Sequence, residues 1–127
     1  MSITKLATIL LVEEIEPGIR FWTEALGFCM TQQIEHEGKM GFVMLTKGDI
    51  EIHLQTRAIT KKDAPHLAEF SFPAACVLYF DVDDLDGLIK KFEGIEVVIP
   101  KRKTFYGTTE IYVREPCGHV VGFAKTD

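Results

Sequence analysis

One pattern occurs twice in this chain, seventy residues apart, and it limits the possible folds more than any other feature. Thr8 to Val12 followed by Glu13-Glu14-Ile15 (TILLVEEI) matches Leu78 to Val82 followed by Asp83-Asp84-Leu85 (LYFDVDDL). Each copy is an apolar strand, two acids, then apolar residues at helical spacing: Ile15, Ile19, Trp22 and Leu26 in the first, Leu85, Leu88, Ile89 and Phe92 in the second. A glycine follows each helical stretch, Gly27 and Gly94, where a chain leaving a helix turns through a left-handed residue. Half of a 127-residue chain can rarely bury a core alone, so the two copies are expected to build a single domain together.

The second copy closes on Thr108 to Ala124 (TTEIYVREPCGHVVGFA). This stretch alternates along one arm, breaks at Glu115-Pro116-Cys117-Gly118, and resumes as a nearly continuous apolar run, which predicts a hairpin with a buried second arm. Upstream, strands are expected at Lys5–Val12, Phe28–Ile34, Met40–Leu45 and in IEIHLQ, where Ile50, Ile52 and Leu54 alternate with Glu51, His53 and Gln55. Pro17 suits the first turn of a helix running to about Leu26. After the restart come a strand at Ala75–Val82, a helix from Leu85 to about Phe92 and a strand at Ile95–Ile99. The order strand, helix, three strands is thus written twice. Modules at residues 1–55 and 74–127 are expected, joined by a polar connection at 56–73 with a short helix around Ala64 to Phe70 and with Phe70 and Phe72 tacking it down.

A net charge of −5 argues against nucleic acid or an anionic membrane surface as a partner, since both need a concentrated basic face. The basic run Lys101-Arg102-Lys103 reads as a solvated loop. Three cysteines, Cys29, Cys76 and Cys117, without metal-ligand spacing suit a reducing compartment, and the cytoplasm is the default. Leu6 to Val12 is too short to span a bilayer and is one copy of the repeat, so no targeting signal is read.

With FWTEALGF after the first strand and YGTTEIYVREPCGHVVGFA at the end, the doubled order resembles the vicinal oxygen chelate superfamily, the glyoxalase, bleomycin-resistance and extradiol-dioxygenase group. Its first helix commonly carries an aromatic pair and ends in Leu-Gly-Phe, matched by Phe21-Trp22 and Leu26-Gly27-Phe28. Its final hairpin commonly has Asp-Pro-Asp-Gly, matched with two changes by Glu115-Pro116-Cys117-Gly118. The resemblance implies an α+β fold in which two βαβββ modules form an open curved mixed sheet or half-barrel around a ligand cavity. It also implies a homodimer, which would cover the strand edges and apolar cavity that an open sheet exposes.

Metal-dependent members place ligands on the inner faces of the first and last strands of each module. By that resemblance the positions here are Ala7, Val77 and Gly122, none of which can bind a metal. Only Glu51 and His53 offer donors, in a register uncertain by one step of the alternation, whereas a catalytic ion needs about three protein ligands. No metal and no cofactor are expected.

The polar residues left on the inner face are Glu51, His53, Gln55, Tyr79, Glu110, Tyr112 and Arg114, and these are the candidate ligand-binding residues. His53 reads as a ligand-binding imidazole, a lone base or a hydrogen-bonded structural residue. Tyr79 and Tyr112 suit a ligand wall and a barrel interior equally, and a Glu110–Arg114 pair would cancel charge locally. His36 and His66 read as solvated, His119 as a turn residue and Trp22 as core. No cysteine has the surroundings of a nucleophile, and no glycine loop suits a phosphate.

Two functions are carried forward. The first is a metal-free small-molecule-binding protein, resembling the bleomycin-resistance type, that holds a neutral or cationic organic molecule without catalysing a reaction. The alternative is a glyoxalase-like lyase or isomerase with a rearranged site, or a metal-free enzyme using His53 or Glu51 as general base.

Overall fold

The computed structural model describes residues 1–69 and 76–127. Phe70, Phe72 and the strand start expected at Ala75 lie outside the described residues. The chain divides into two compact units, Met1–Ala74 and Ala75–Asp127.

The first unit contains strands β1 (Thr8–Val12), β2 (Cys29–His36), β3 (Lys39–Lys47) and β4 (Ile50–Thr56) in the sheet order β1-β4-β3-β2. Strand β1 runs parallel to β4, and the other pairs are antiparallel. The second unit repeats this with β5 (Leu78–Asp81), β6 (Glu96–Lys103), β7 (Thr108–Arg114) and β8 (Val120–Thr126) in the order β5-β8-β7-β6, β5 parallel to β8. The fold is α+β, and the described residues form two four-stranded mixed sheets with few helices. No helix among the described residues is long and apolar enough to cross a membrane.

Alternation decides which side of each sheet is buried. In the first unit Leu10, Val12, Val43, Leu45, Ile52 and Leu54 are buried, each contributing about 1.5–3 kcal/mol relative to exposure. Their strand neighbours Glu51, His53, Gln55, Phe42 and Met44 fall on the opposite, half-buried side. In the second unit Phe123 is the core ring of β8, 5.7 Å from Phe80 and 5.3 Å from Phe92.

The first helical stretch departs from a plain α-helix. A 3-10 turn at Glu16–Gly18 leads into a π-helical segment, Phe21–Ala25, closed by Leu26 N–H donating to the Phe21 carbonyl at 3.1 Å. The widened turn lets two consecutive aromatics go inward. Phe21 and Trp22 are both buried, and Trp22 meets Phe21 and Phe28 edge-on at 5.6 and 5.5 Å. Gly27, at φ 77°, ends it, with Phe28 N–H donating back to the Trp22 carbonyl at 2.9 Å. Ile15 is buried, but Ile19 is only half-buried.

The counterpart, α3 (Leu85–Ile89), is shorter than the spacing predicts, and Phe92 is buried from the turn beyond it while Ile89 stays half-buried. Asp84 caps this helix, accepting from Gly87 N–H at 3.0 Å. The closing hairpin turns at Glu115–Gly118, where Gly118 has φ 107° and donates its N–H to the Glu115 carbonyl at 2.8 Å.

Two expectations are corrected. Lys101, Arg102 and Lys103 are not a loop but the end of β6. Register shifts between Val97 and Ile99 and between Ile99 and Arg102 destroy the alternation that would mark a strand. In the segment 56–73, α2 (Pro65–Ala68) falls where a short helix is expected, but α1 (Arg57–Asp63), read as part of a polar connection, is a helix as well. Thr56 caps α1 by accepting from Ile59 N–H at 3.2 Å, and Arg57 binds Glu13 at 2.9 Å, so these helices belong to the first unit.

Candidate functional site

The candidate residues collect into two clusters, one on the polar side of each sheet. In the first unit, β4 projects Glu51, His53 and Gln55 to that side because Ile52, Leu54 and Thr56 are buried on the other. His53 Nε2 lies 2.7 Å from Glu51 Oε2, and Lys5 Nζ donates to Glu51 Oε1 at 2.6 Å. The Lys5 hydrogen bond, and next the one from His53, hold the Glu51 carboxyl below the ordinary carboxylate value. A charged carboxylate only accepts, so in the neutral imidazole the proton sits on Nε2 and Nδ1 is left as a base. The Phe42 ring stands edge-on to the imidazole at 5.2 Å. Gln55 lies on the same face but is tied elsewhere, donating to Thr60 Oγ1 at 2.7 Å.

In the second unit Glu110 is fully buried at 0% exposure. It accepts from the Tyr79 hydroxyl, from Tyr106 at 2.9 Å and from Thr108 Oγ1 at 3.2 Å, and Arg102 Nη2 lies 3.6 Å away. The Tyr79 bond does most to keep the Glu110 carboxyl below its ordinary value, against the opposing effect of burial. The same bond, helped by desolvation, pushes the Tyr79 phenol up to about 12, and Tyr106 is raised for the same reasons. The Tyr112 ring lies 6.2 Å from that of Tyr79.

Tyr79, Glu110 and Tyr112 therefore come together, and Arg114 does not join them. It binds Glu96 at 3.1 Å and the Gly118 carbonyl at 3.0 Å, bracing the closing hairpin. Glu110 does not pair with Arg114, and its nearby cation is Arg102, directly opposite on β6. His119 is also more than a turn residue, being buried with its N–H on Glu115 Oε1 at 2.9 Å.

Sequence reasoning missed Lys5, Phe42, Arg102, Tyr106 and Thr108. Thr108 and Arg102 had a legible signal, since one is two residues from Glu110 along the strand and the other joins a basic run facing an acidic position. Elsewhere in the second unit an open cleft of about 430 Å³ carries Lys101, Lys103 and Lys125 beside Asp84, Asp86 and Asp127. Its charges balance, and Asp84 and Asp86 already cap α3 and bind Lys101.

The family model for the Glyoxalase/Bleomycin resistance protein/Dioxygenase superfamily matches residues 4–123. The chain belongs to that superfamily. Among solved structures it is similar to a glyoxalase/bleomycin resistance protein/dioxygenase from Nocardioides, with 18% identity and a TM-score of 0.76 over 99% of this chain and 85% of that one. It is also similar to lactoylglutathione lyase from Agrobacterium tumefaciens, with 19% identity and a TM-score of 0.73 over 98% and 95% of the two chains. TioX from Micromonospora sp. ML1 gives 14%, 0.72, and 98% and 99%. At such identities the likeness concerns the fold. A comparison with curated proteins finds no match.

The residues of this superfamily member do not fit the metal that its metal-dependent relatives hold. Ala7, Val77 and Gly122 carry no donor atom. The register pairs Ile9 with His53 in the first unit and Tyr79 with Gly122 in the second, so Gly122 is the counterpart of His53. A Cβ at Gly122 would come within 2.6 Å of the Tyr112 ring, so an aromatic edge fills the space where a ligating side chain would start. Among the described residues no group of three or more His, Cys, Asp or Glu is placed to hold a metal ion. Glu51 and His53 supply two donors and are bonded to each other.

Proposed function

We propose that this chain is a metal-free small-molecule-binding protein of the bleomycin-resistance type, acting in the cytoplasm as a homodimer. The observation that carries the reading is the closure of Gly122 by the Tyr112 ring, opposite a strand whose Tyr79 supplies a second aromatic wall. Where a metal-dependent relative needs a donor, this chain offers aromatic surface with a few hydrogen-bonding groups, the usual make-up of an organic-molecule site. The ligand is neutral or cationic and binds mainly through aromatic and apolar contacts. Tyr79→Ala is expected to weaken it by about 1–3 kcal/mol.

The test is a thermal-shift screen of cationic, neutral and anionic compounds with and without added zinc, nickel or manganese. Stabilisation by a compound alone supports the reading. Stabilisation that needs the metal, and disappears in His53→Ala, overturns it.

A second reading is favoured by the Glu51–His53 contact. A carboxylate accepting from Nε2–H fixes the tautomer and leaves the Nδ1 lone pair available to take a proton from a substrate. Turnover of small carbonyl compounds, lost in His53→Ala and undiminished by chelators, would favour a glyoxalase-like lyase or isomerase working without a metal.

A further inference from the structure

Glu110 shapes what its neighbours can recognise. A charged carboxylate has no proton to give, so the hydroxyls of Tyr79, Tyr106 and Thr108 must all donate to it. A phenol has only one proton. With it committed inward, Tyr79 and Tyr106 present only oxygen lone pairs to anything approaching from outside, and both residues are about half exposed, at 46% and 53%. Donation to a carboxylate also enriches each ring in electrons, which strengthens the attraction of its face for a cation.

Arg102 behaves as a guanidinium resting in this place. It stands opposite Glu110 in the β6–β7 register, yet its Nη2 is 3.6 Å from Oε1, beyond a good hydrogen bond, and half of the side chain is solvated. It is held there by charge, at a distance longer than a hydrogen bond.

We propose that Tyr79, Tyr106 and Glu110 form a subsite for the ammonium or guanidinium group of an organic ligand, a place that Arg102 fills in the free protein. This rests on the metal-free binding reading and names the chemical class of its ligand. A carbonyl or carboxylate brought to the same spot meets lone pairs facing lone pairs, so the subsite discriminates by what the ligand can donate.

Three probes sharing one ring and chain length test it: phenethylamine, phenethyl alcohol and phenylacetate, titrated into the isotope-labelled full chain at neutral pH, low salt and no added metal, and followed by amide NMR shifts. The amine should bind at least about tenfold more tightly than the alcohol and shift the amides of Tyr79, Tyr106 and Glu110. Arg102→Gln, at an exposed side chain, should tighten the amine about threefold by removing the resident cation, an effect that salt erases. Tyr106→Phe, also at a solvated position, should weaken the amine about fivefold and the alcohol, which can donate only a neutral hydrogen bond, by no more than about twofold.

Equal affinities for amine and alcohol, tighter binding of phenylacetate, amine binding weakened by Arg102→Gln, or shifts confined to other residues would each overturn the subsite. No binding by any probe overturns it too. The wider reading fails separately, if the compounds found in the thermal-shift screen bind only when a divalent metal is added.

Discussion

Tyr79→Phe deletes one hydroxyl and keeps the ring beside Tyr112, so its cost reports the hydrogen bond to Glu110 and little else. A hydrogen bond to a charged, buried acceptor contributes about 1.5–3 kcal/mol. Glu110 keeps Tyr106, Thr108 and Arg102, and Tyr79 is exposed enough for water to take part of its place, which lowers the expected loss to about 1–2 kcal/mol at pH 7. In a Glu110→Gln background the acceptor is neutral, and Tyr79→Phe should cost under about 0.7 kcal/mol, leaving a coupling near 1 kcal/mol.

The pH dependence follows from the direction of the shifts. Glu110 has a folded value below 4.5, so the stability it contributes is complete above 4.5 and is lost as pH falls through that lower value. Tyr79 is raised from 10 to about 12, so its contribution is complete below 10 and is lost as pH rises through about 12. Urea unfolding followed by circular dichroism on the four proteins, at pH 7 and again in acid, measures the cycle. An equal cost of Tyr79→Phe in both backgrounds, or no cost at pH 7, would refute the argument that Glu110 is an ionised hub.

Gly122→Ala puts a methyl group against the Tyr112 ring, 2.6 Å from its nearest carbon, and should lower stability by about 1–3 kcal/mol while reducing binding of any ligand that uses that ring. Both are read in one thermal-shift series. Asp84→Ala removes the cap of α3 and should cost about 1 kcal/mol in urea unfolding, while Asp84→Asn retains most of it. Light scattering at micromolar concentration should give twice the 14.3 kDa chain mass, and a mass of one chain would sink the proposed dimer.

The fold was legible because the two copies carry the same punctuation. Leu26-Gly27-Phe28 ends one helical stretch, Glu115 to Gly118 turns the last hairpin, and β4 alternates cleanly enough to put Glu51 and His53 on one face. What escaped was set by non-local pairing. The helix Arg57–Asp63 has no apolar stripe, and what marks it is the Thr56 cap and the reach of Arg57 to Glu13. Lys101 to Lys103 belong to a strand whose bulges hide its period. Tyr106 lies between β6 and β7, where no spacing rule points, yet its hydroxyl returns to a carboxylate four residues on. Alternation grouped Arg114 correctly with Tyr112 and Glu110, but a shared face does not choose partners, and Glu96 lies directly across from it on β6.

The parallel pairing of β1 with β4, and of β5 with β8, sets an order of events during synthesis. A chain leaving the ribosome must hold Thr8–Val12 unpaired until Ile50–Thr56 has emerged, because the partner of its first strand is the last one made in that unit. Closing a loop of that size costs roughly 3 kcal/mol in chain entropy before the ladder returns anything. The second unit repeats the delay, so ending translation just before Val120 would take away the partner of Leu78–Asp81 and the ring that Phe80 and Phe92 pack on. A nascent chain stalled there exposes an unpaired apolar strand in each copy still incomplete, the state in which chaperones find work and aggregates begin.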